Sequence, residues 1–130
     1  MPDKQVITSN DLPAPKGPYS PAVRAGGLVF VSGQGPIVPA TGEVLRGSIE
    51  EQTELVLANI RAILAAAGVA MEAVVKTTVY LADMAEFAAM NETYGRHFAS
   101  DPPARTTIAA AGLPKDARVE IEAVAVGRDL

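Results

Sequence analysis

The chain has 130 residues, of which 48% are hydrophobic, 20% are charged and only 5% are aromatic. It has no cysteine and a single histidine, which excludes disulfides, thiolate chemistry and metal sites built from cysteine or several histidines. The net charge of −4 argues against a general nucleic-acid binder. No apolar run approaches the ~20 residues of a membrane span. We therefore expect one soluble, cytoplasmic domain over residues 1–130.

The N-terminal third predicts strands and loops. An edge strand is expected at Gln5–Thr8. The proline-rich stretch 12–21 predicts an ordered extended loop, because proline lacks a backbone N–H and fits neither a helix nor a central strand. The pair Gly26-Gly27 separates two predicted strands, Ala22–Ala25 and Leu28–Ser32, as in a β-hairpin.

The clearest helix is expected at Ser48–Ala67, after a glycine- and proline-rich loop over residues 33–47. Ser48 and Glu51 match a capping box, and Gly68 fits the stop at the C-terminal end. One face of this predicted helix carries the apolar residues Ile49, Val56, Ile60, Ile63 and Ala67.

The second half of the chain predicts three strands and a shorter helix. Val74–Leu81 alternates and is rich in β-branched residues, so it predicts a strand. Asp83 with Glu86 is expected to open the second helix. This helix runs to about residue 98, with the apolar stripe Met84, Phe87, Met90, Tyr94 and Phe98. Arg105–Ala110 and Arg118–Val126 are the last two predicted strands.

This order of elements predicts an α+β fold with both helices on one face of a mixed β-sheet. The side of the last strand expected to face the helices comprises Val119, Ile121, Ala123 and Ala125. The opposite sheet face is expected to carry Arg118, Glu120, Glu122, Val124, Val126, Phe30 and either Val79 or Tyr80. That face is too apolar for water and too charged for a core, which predicts an oligomer with polar pockets between subunits.

Arg105 and Glu120 lie on predicted strands that are otherwise apolar. Each needs a partner, because burying an unpaired charge costs several kcal/mol. One hypothesis is a small ligand whose carboxylate binds Arg105 and which awaits attack by water. The alternative is a structural salt bridge at a subunit interface from Arg105 to Glu120 or Glu122. Glu122 shares the face of Glu120, so spacing alone allows either to act as a base.

Eight blocks carry a family pattern in a fixed order: Gly17–Ser20, Val31–Gln34, Thr41–Val44, Val75–Leu81, Asn91–Tyr94, Pro103–Arg105, Leu113–Asp116 and Val119–Ala123. With these blocks the sequence resembles the RidA/YjgF family of small imine and enamine deaminases, over nearly the whole chain. The resemblance implies a chorismate-mutase-like α+β fold and a homotrimer with three pockets at subunit interfaces.

The resemblance also implies a 2-iminobutanoate/2-iminopropanoate deaminase that needs neither cofactor nor metal. Such an enzyme hydrolyses 2-aminoacrylate and related 2-imino acids to 2-oxo acids and ammonia. Members of the family thereby protect pyridoxal-phosphate enzymes from these intermediates. The implied partners are the small-molecule substrate and further copies of the chain, with no nucleic acid and no membrane.

By the same resemblance, Arg105 binds the substrate carboxylate and Glu120 activates water. The other implied pocket residues are Tyr19, Ser32, Gly33 and Asn91. Thr107 stands where many relatives carry cysteine, so thiol oxidation is not expected. The side chain of Thr107 or of Ser32 is expected to hydrogen-bond the imine nitrogen of the substrate. The loop Gly35–Val38 also departs from the commoner pattern.

Two other functions stay open on the sequence. One is a non-catalytic regulatory trimer that binds small molecules in the same pocket. Arg105 together with Glu120 favours the enzyme, since binding alone needs the arginine but not a carboxylate that activates water. The other is an endoribonuclease or translation inhibitor, as some relatives are described, against which the acidic net charge and the lack of a basic stripe argue.

Overall fold

In the computed structural model, residues 3–12 and 14–127 are described, and they form a six-stranded sheet with two helices. The elements are β1 (Gln5–Ile7), β2 (Ala22–Ala25), β3 (Leu28–Gln34), α1 (Ile49–Ala66), β4 (Val74–Leu81), α2 (Phe87–His97), β5 (Ala104–Ala109) and β6 (Val119–Val126). This arrangement confirms the predicted α+β class and the hairpin at Gly26-Gly27. In these two ranges no helix combines the length and the apolar composition that crossing a membrane requires.

The strand order in the sheet is β1-β2-β3-β6-β4-β5. Neighbouring strands are antiparallel except for β4 and β5, which run parallel on either side of the α2 connection. The last strand therefore lies in the interior of the sheet, between β3 and β4, while β5 forms one edge. This order separates the strand that carries Arg105 from the strand that carries Glu120.

Both helices pack on one face of the sheet. The helix-facing residues of β4 and β6 are buried: Thr77, Val79 and Leu81 on β4, and Val119, Ile121, Ala123 and Ala125 on β6. Their alternation with less buried residues follows from the two-residue period of a strand. Each fully buried Val, Leu or Ile stabilises the fold by about 1.5–3 kcal/mol.

The predicted capping box of α1 is present. The Ser48 hydroxyl accepts a hydrogen bond from the Glu51 backbone N–H at 3.1 Å, and the Ser48 backbone N–H donates to the Glu51 carboxylate at 3.0 Å. Two buried amides on α1 then fasten the loop that precedes it. Gln52 donates to the Leu45 carbonyl at 2.9 Å, and Asn59 donates to the Ile37 carbonyl at 2.8 Å. Helix α1 thereby fixes the position of the loop over residues 35–47.

The start of the second helix differs from the prediction. Asp83 caps a separate 3₁₀ turn, Met84–Glu86, by accepting a hydrogen bond from the Ala85 backbone N–H at 2.9 Å, and Glu86 makes no side-chain cap for α2. The tighter turn changes the helical phase, so Met84 is 43% exposed and does not belong to the apolar stripe.

The assignment of Arg118 to the second sheet face was wrong, and the alternative between Val79 and Tyr80 is decided for Tyr80. Arg118 precedes β6 and forms an ion pair with Glu86 at 3.1 Å. Val79 is buried on the helix face, so Tyr80 is the β4 residue that shares the second face with Glu120. The predicted loop at 12–21 contains no helix or strand over residues 14–21, and its Pro13 lies outside the described residues.

Candidate active site

Arg105 lies on the edge strand β5 and faces the helix layer. Its parallel partner is Thr77, which is 1% exposed beneath α2, and paired residues of neighbouring strands share a face. The guanidinium carbon lies 4.8 Å from the ring centroid of Tyr94 and 5.6 Å from that of Phe87, both on α2. Within residues 3–12 and 14–127, Arg105 forms no ion pair. Its positive charge is therefore not neutralised in that part of the chain.

Tyr94 is held rigidly beneath the guanidinium. Its hydroxyl and the Thr77 hydroxyl share a hydrogen bond of 2.7 Å, and its ring centroid lies 4.8 Å from that of Phe98. Burial raises the pKa of Tyr94, although the Thr77 hydrogen bond and the positive charge of Arg105 partly oppose the shift. The phenol is therefore neutral at physiological pH and presents an uncharged aromatic face to the arginine.

Thr107 and Asn91 lie beside Arg105. Thr107 pairs with Val79 and so points to the same side of β5 as Arg105. Its hydroxyl oxygen is buried and has no hydrogen-bond partner among the described residues. Such an atom costs about 1–3 kcal/mol unless a ligand or another subunit satisfies it. Asn91 is exposed one helical turn after Phe87, on the side of α2 that carries both aromatic rings.

We call Arg105, Thr107 and Asn91 the arginine half-site, and Tyr19, Ser32, Gly33 and Glu120 the glutamate half-site. Glu120 lies on β6 opposite Tyr80 and faces away from the helices. Burial, followed by the negative charge of Glu122, raises the pKa of Glu120. Its carboxylate is thus a stronger base than an ordinary glutamate, which suits a residue that accepts a proton.

Gly33 allows the close approach of Glu120. The pairing of β3 with β6 shifts between Val31 and Gln34, so Ser32 and Gly33 lie in a β-bulge. A Cβ atom added to Gly33 would overlap the carboxylate oxygen of Glu120 and lie 3.1 Å from its carboxyl carbon. A residue with a side chain at position 33 would displace the glutamate.

Ser32 attaches the proline-rich loop to the sheet. Its hydroxyl donates to the Ser20 carbonyl at 2.6 Å, and its backbone N–H donates to the Pro21 carbonyl at 3.0 Å. Next to this attachment, Tyr19 is 52% exposed, and its hydroxyl accepts a hydrogen bond from the Lys16 backbone N–H at 3.4 Å. Since the Ser32 proton is already donated, its oxygen can only accept from a ligand.

A cavity of about 410 Å³ opens beside the glutamate half-site. Its walls come from the proline-rich loop, the loop that α1 fixes, the turn 114–117 and β6, and they include Tyr19, Gly33, Glu120, Lys16 and Lys115. This volume lies within the range of small-molecule sites. The sequence analysis did not predict the two lysines as site residues, although Lys115 lies in the family block Leu113–Asp116 and Lys16 directly precedes the block Gly17–Ser20.

The structure distinguishes the two glutamates that share this sheet face. Glu120 lines the cavity, whereas Glu122 accepts a hydrogen bond from the Tyr80 hydroxyl. That hydrogen bond is the main reason why the pKa of Tyr80 is raised. Glu120 therefore has access to a ligand in the cavity, and Glu122 is occupied by a neighbouring side chain.

Arg105 and Glu120 lie on opposite faces of the sheet and on strands separated by β4. Two strand spacings amount to about 10 Å, to which the thickness of the sheet is added. A salt bridge from Arg105 to Glu120 or Glu122 therefore does not form among the described residues of one chain, and the predicted interface salt bridge would have to join two copies. Nor do these residues contain a group of three or more histidine, aspartate and glutamate side chains able to hold a metal ion.

The comparisons with known proteins agree with this fold. A family model described as Endoribonuclease L-PSP matches residues 9–127. A RutC family protein of Pyrococcus horikoshii is 51% identical over 122 residues, which cover 94% of this chain and 97% of that protein. Reactive Intermediate Deaminase A, chloroplastic, of Arabidopsis thaliana is 46% identical over 122 residues, which cover 94% of this chain and 65% of that protein.

A solved structure of TdcF from E. coli with bound serine has a TM-score of 0.89 and 39% identity, covering 96% of this chain and 99% of that one. Sequence and fold thus agree with these proteins over almost the full length of this chain. The chain belongs to the RidA/YjgF family, as its ordered sequence blocks predicted.

Proposed function

We propose that the protein hydrolyses reactive 2-imino acids and their enamine tautomers, such as 2-aminoacrylate, to 2-oxo acids and ammonia. The observation that carries the proposal is that neither Arg105 nor Glu120 has an ion-pair partner among the described residues. A substrate with a carboxylate next to a C=N carbon would use both groups. The deaminase name of the Arabidopsis relative and the serine bound to TdcF, an amino acid with an α-carboxylate, support this substrate class.

The proposed site lies between subunits of a homotrimer. One chain holds its two half-sites on opposite faces of the sheet, so a complete site requires two copies. A ring of subunits related by rotation repeats a single contact, in which the arginine half-site of one copy meets the glutamate half-site of the next. Phe30 and Val126, each 45% exposed on the face of Glu120, supply apolar area for that contact. The number of three rests on the family resemblance.

In the proposed mechanism, Arg105 orients the substrate. Its fork donates two parallel N–H bonds to the carboxylate, each worth about 1.5–3 kcal/mol. Lysine would bind the same carboxylate as a point charge and orient it less well. The buried Thr107 hydroxyl, which needs a partner, would hydrogen-bond the imine nitrogen. Tyr19 would cover the cavity, and Asn91 would complete the polar wall next to the arginine.

Glu120 would then act as the base. As water attacks the C=N carbon of the protonated imine, a C–O bond forms, the π electrons move to nitrogen, and Glu120 takes a proton from the water. Glu120 then returns this proton to the amino nitrogen of the carbinolamine. A lone pair of the hydroxyl oxygen forms the C=O bond as the C–N bond breaks, and the hydroxyl proton passes to Glu120, so that ammonia leaves and the 2-oxo acid remains. Positioned base catalysis contributes roughly 10²–10⁴ in rate, or about 3–5 kcal/mol of barrier.

A second candidate is a binding protein that uses the same pocket without catalysis, which the bound serine in TdcF also favours. The two candidates make different predictions for Glu120, because only the enzyme needs its carboxylate. Endoribonuclease activity, as in the description of the family model, is opposed by the net charge of −4.

The test generates 2-aminoacrylate with a serine dehydratase and traps the imine with semicarbazide. The wild-type protein should reduce trapping and speed pyruvate formation. Arg105→Ala should lose both binding of pyruvate, measured by calorimetry, and activity. Glu120→Gln should keep binding and lose most activity, while Glu122→Gln serves as the matched control. Wild-type protein without effect on trapping, or Glu120→Gln with full activity, would refute the proposed reaction.

A further inference from the structure

We propose that Phe87 and Tyr94 form an aromatic platform that positions the Arg105 guanidinium for a ligand carboxylate, with Phe87 as a positioning residue. The inference rests on the proposed function for the identity of the substrate. Its structural part, the restraint of one guanidinium by two rings, concerns this chain alone.

The guanidinium is placed between the two rings. Phe87 and Tyr94 are seven residues apart on α2, which corresponds to about 10.5 Å along the helix axis. The Arg105 guanidinium carbon lies 5.6 Å and 4.8 Å from their respective centroids, so it is within cation–π range of both. A side chain held at two points loses the freedom to turn about its long stem.

This mode of restraint leaves the donors of Arg105 available. Three other arginines donate their N–H groups to protein acceptors: Arg118 to Glu86, Arg96 to Thr93 and Arg24 to backbone carbonyls. An aromatic face attracts the cation through its quadrupole but accepts no strong N–H bond. The positive charge and the N–H donors of Arg105 therefore remain available to bind an anion. A carboxylate side chain in place of the rings would have neutralised this charge.

The two rings contribute differently. Tyr94 is fixed by Thr77 and Phe98 and is 5% exposed, so changing it disturbs the core. Phe87 is the first residue of α2 and only half-buried, so it can be changed with less effect on packing. Phe87 is therefore the residue at which positioning and folding can be separated.

The kinetic test compares Phe87→Leu with Phe87→Tyr. Leucine keeps an apolar side chain but removes the aromatic face, so KM should rise roughly 2- to 30-fold, the range that cation–π contacts span, with kcat within about twofold. Tyrosine restores the face and should restore KM. Phe87→Tyr thus serves as the matched control, because it keeps an aromatic ring at the same position against Arg105. Wild-type KM in Phe87→Leu would overturn the proposal.

A second measurement does not depend on catalysis. The Nε–H resonance of Arg105, assigned by its loss in Arg105→Lys, should show ring-current displacement and a high order parameter in the wild type. Both should decrease in Phe87→Leu and recover in Phe87→Tyr. An unchanged resonance would refute the platform even if the protein is a deaminase. A restrained Arg105 in a protein without deaminase activity would refute only the proposed reaction.

Discussion

Mixing two inactive variants should restore part of the activity, because each complete site is proposed to take Arg105 from one subunit and Glu120 from its neighbour. In Arg105→Ala the glutamate half-site is intact, and in Glu120→Gln the arginine half-site is intact. Their side chains face opposite sides of the sheet, so each substitution leaves the other half-site of the same chain unchanged.

The size of the recovery follows from the proposed ring. With equal amounts of the two variants and random assembly, each interface receives an intact Arg105 with probability one half and an intact Glu120 with probability one half. About a quarter of all sites are then complete, so activity should reach about a quarter of the wild-type value. A site built within one chain would give no recovery, since no chain would carry both groups.

The assay unfolds differently tagged variants together, refolds them and measures the reduction of semicarbazide trapping. Purification through both tags then removes trimers of a single variant. Each remaining mixed trimer has one complete site of three, so activity of this fraction should rise to about a third of the wild-type value. A matched control mixes Glu120→Gln with Gly33→Val, two changes in the same half-site. No chain of that mixture has a complete glutamate half-site, so it should stay inactive. If mixed oligomers of Arg105→Ala and Glu120→Gln form but remain as inactive as their parents, the shared site is wrong.

Two further predictions concern the glutamate half-site. Activity should fall as the pH is lowered through the raised pKa of Glu120, because the base works only when it is deprotonated. Glu122→Gln removes a like charge next to Glu120 and so lowers the pKa of Glu120. The acid limb of the pH–rate profile should therefore move to lower pH in this variant. An unmoved limb would contradict this coupling. Gly33→Ala should lower kcat/KM at least about tenfold, because the added Cβ displaces the Glu120 carboxylate. Since residue 33 is exposed to solvent, the Tm of this variant should change by no more than a few degrees. Wild-type kcat/KM in Gly33→Ala would show that Glu120 need not lie against residue 33.

Local sequence signals correctly predicted features that depend on residues close together in the chain, such as helix caps and the alternation of strand residues. The capping box of Ser48 and Glu51 bounds α1, because its two hydrogen bonds involve residues three positions apart. The alternation of β6 correctly predicted that Glu120 and Glu122 share the face away from the helices. The Asp83 and Glu86 pair failed as a helix start, because two such residues also fit a 3₁₀ turn.

Patterns along the chain were enough to predict most of the elements, the sheet face on which Glu120 lies and the family whose blocks the chain carries. The strand order, in which β6 lies inside the sheet and β5 at its edge, became known from the folded chain, and this order separates Arg105 from Glu120. The tertiary structure alone brought Phe87 and Tyr94 against Arg105 and Gly33 against Glu120. These contacts join residues far apart in the chain, and they depend on strand order and helix packing, which no local pattern encodes.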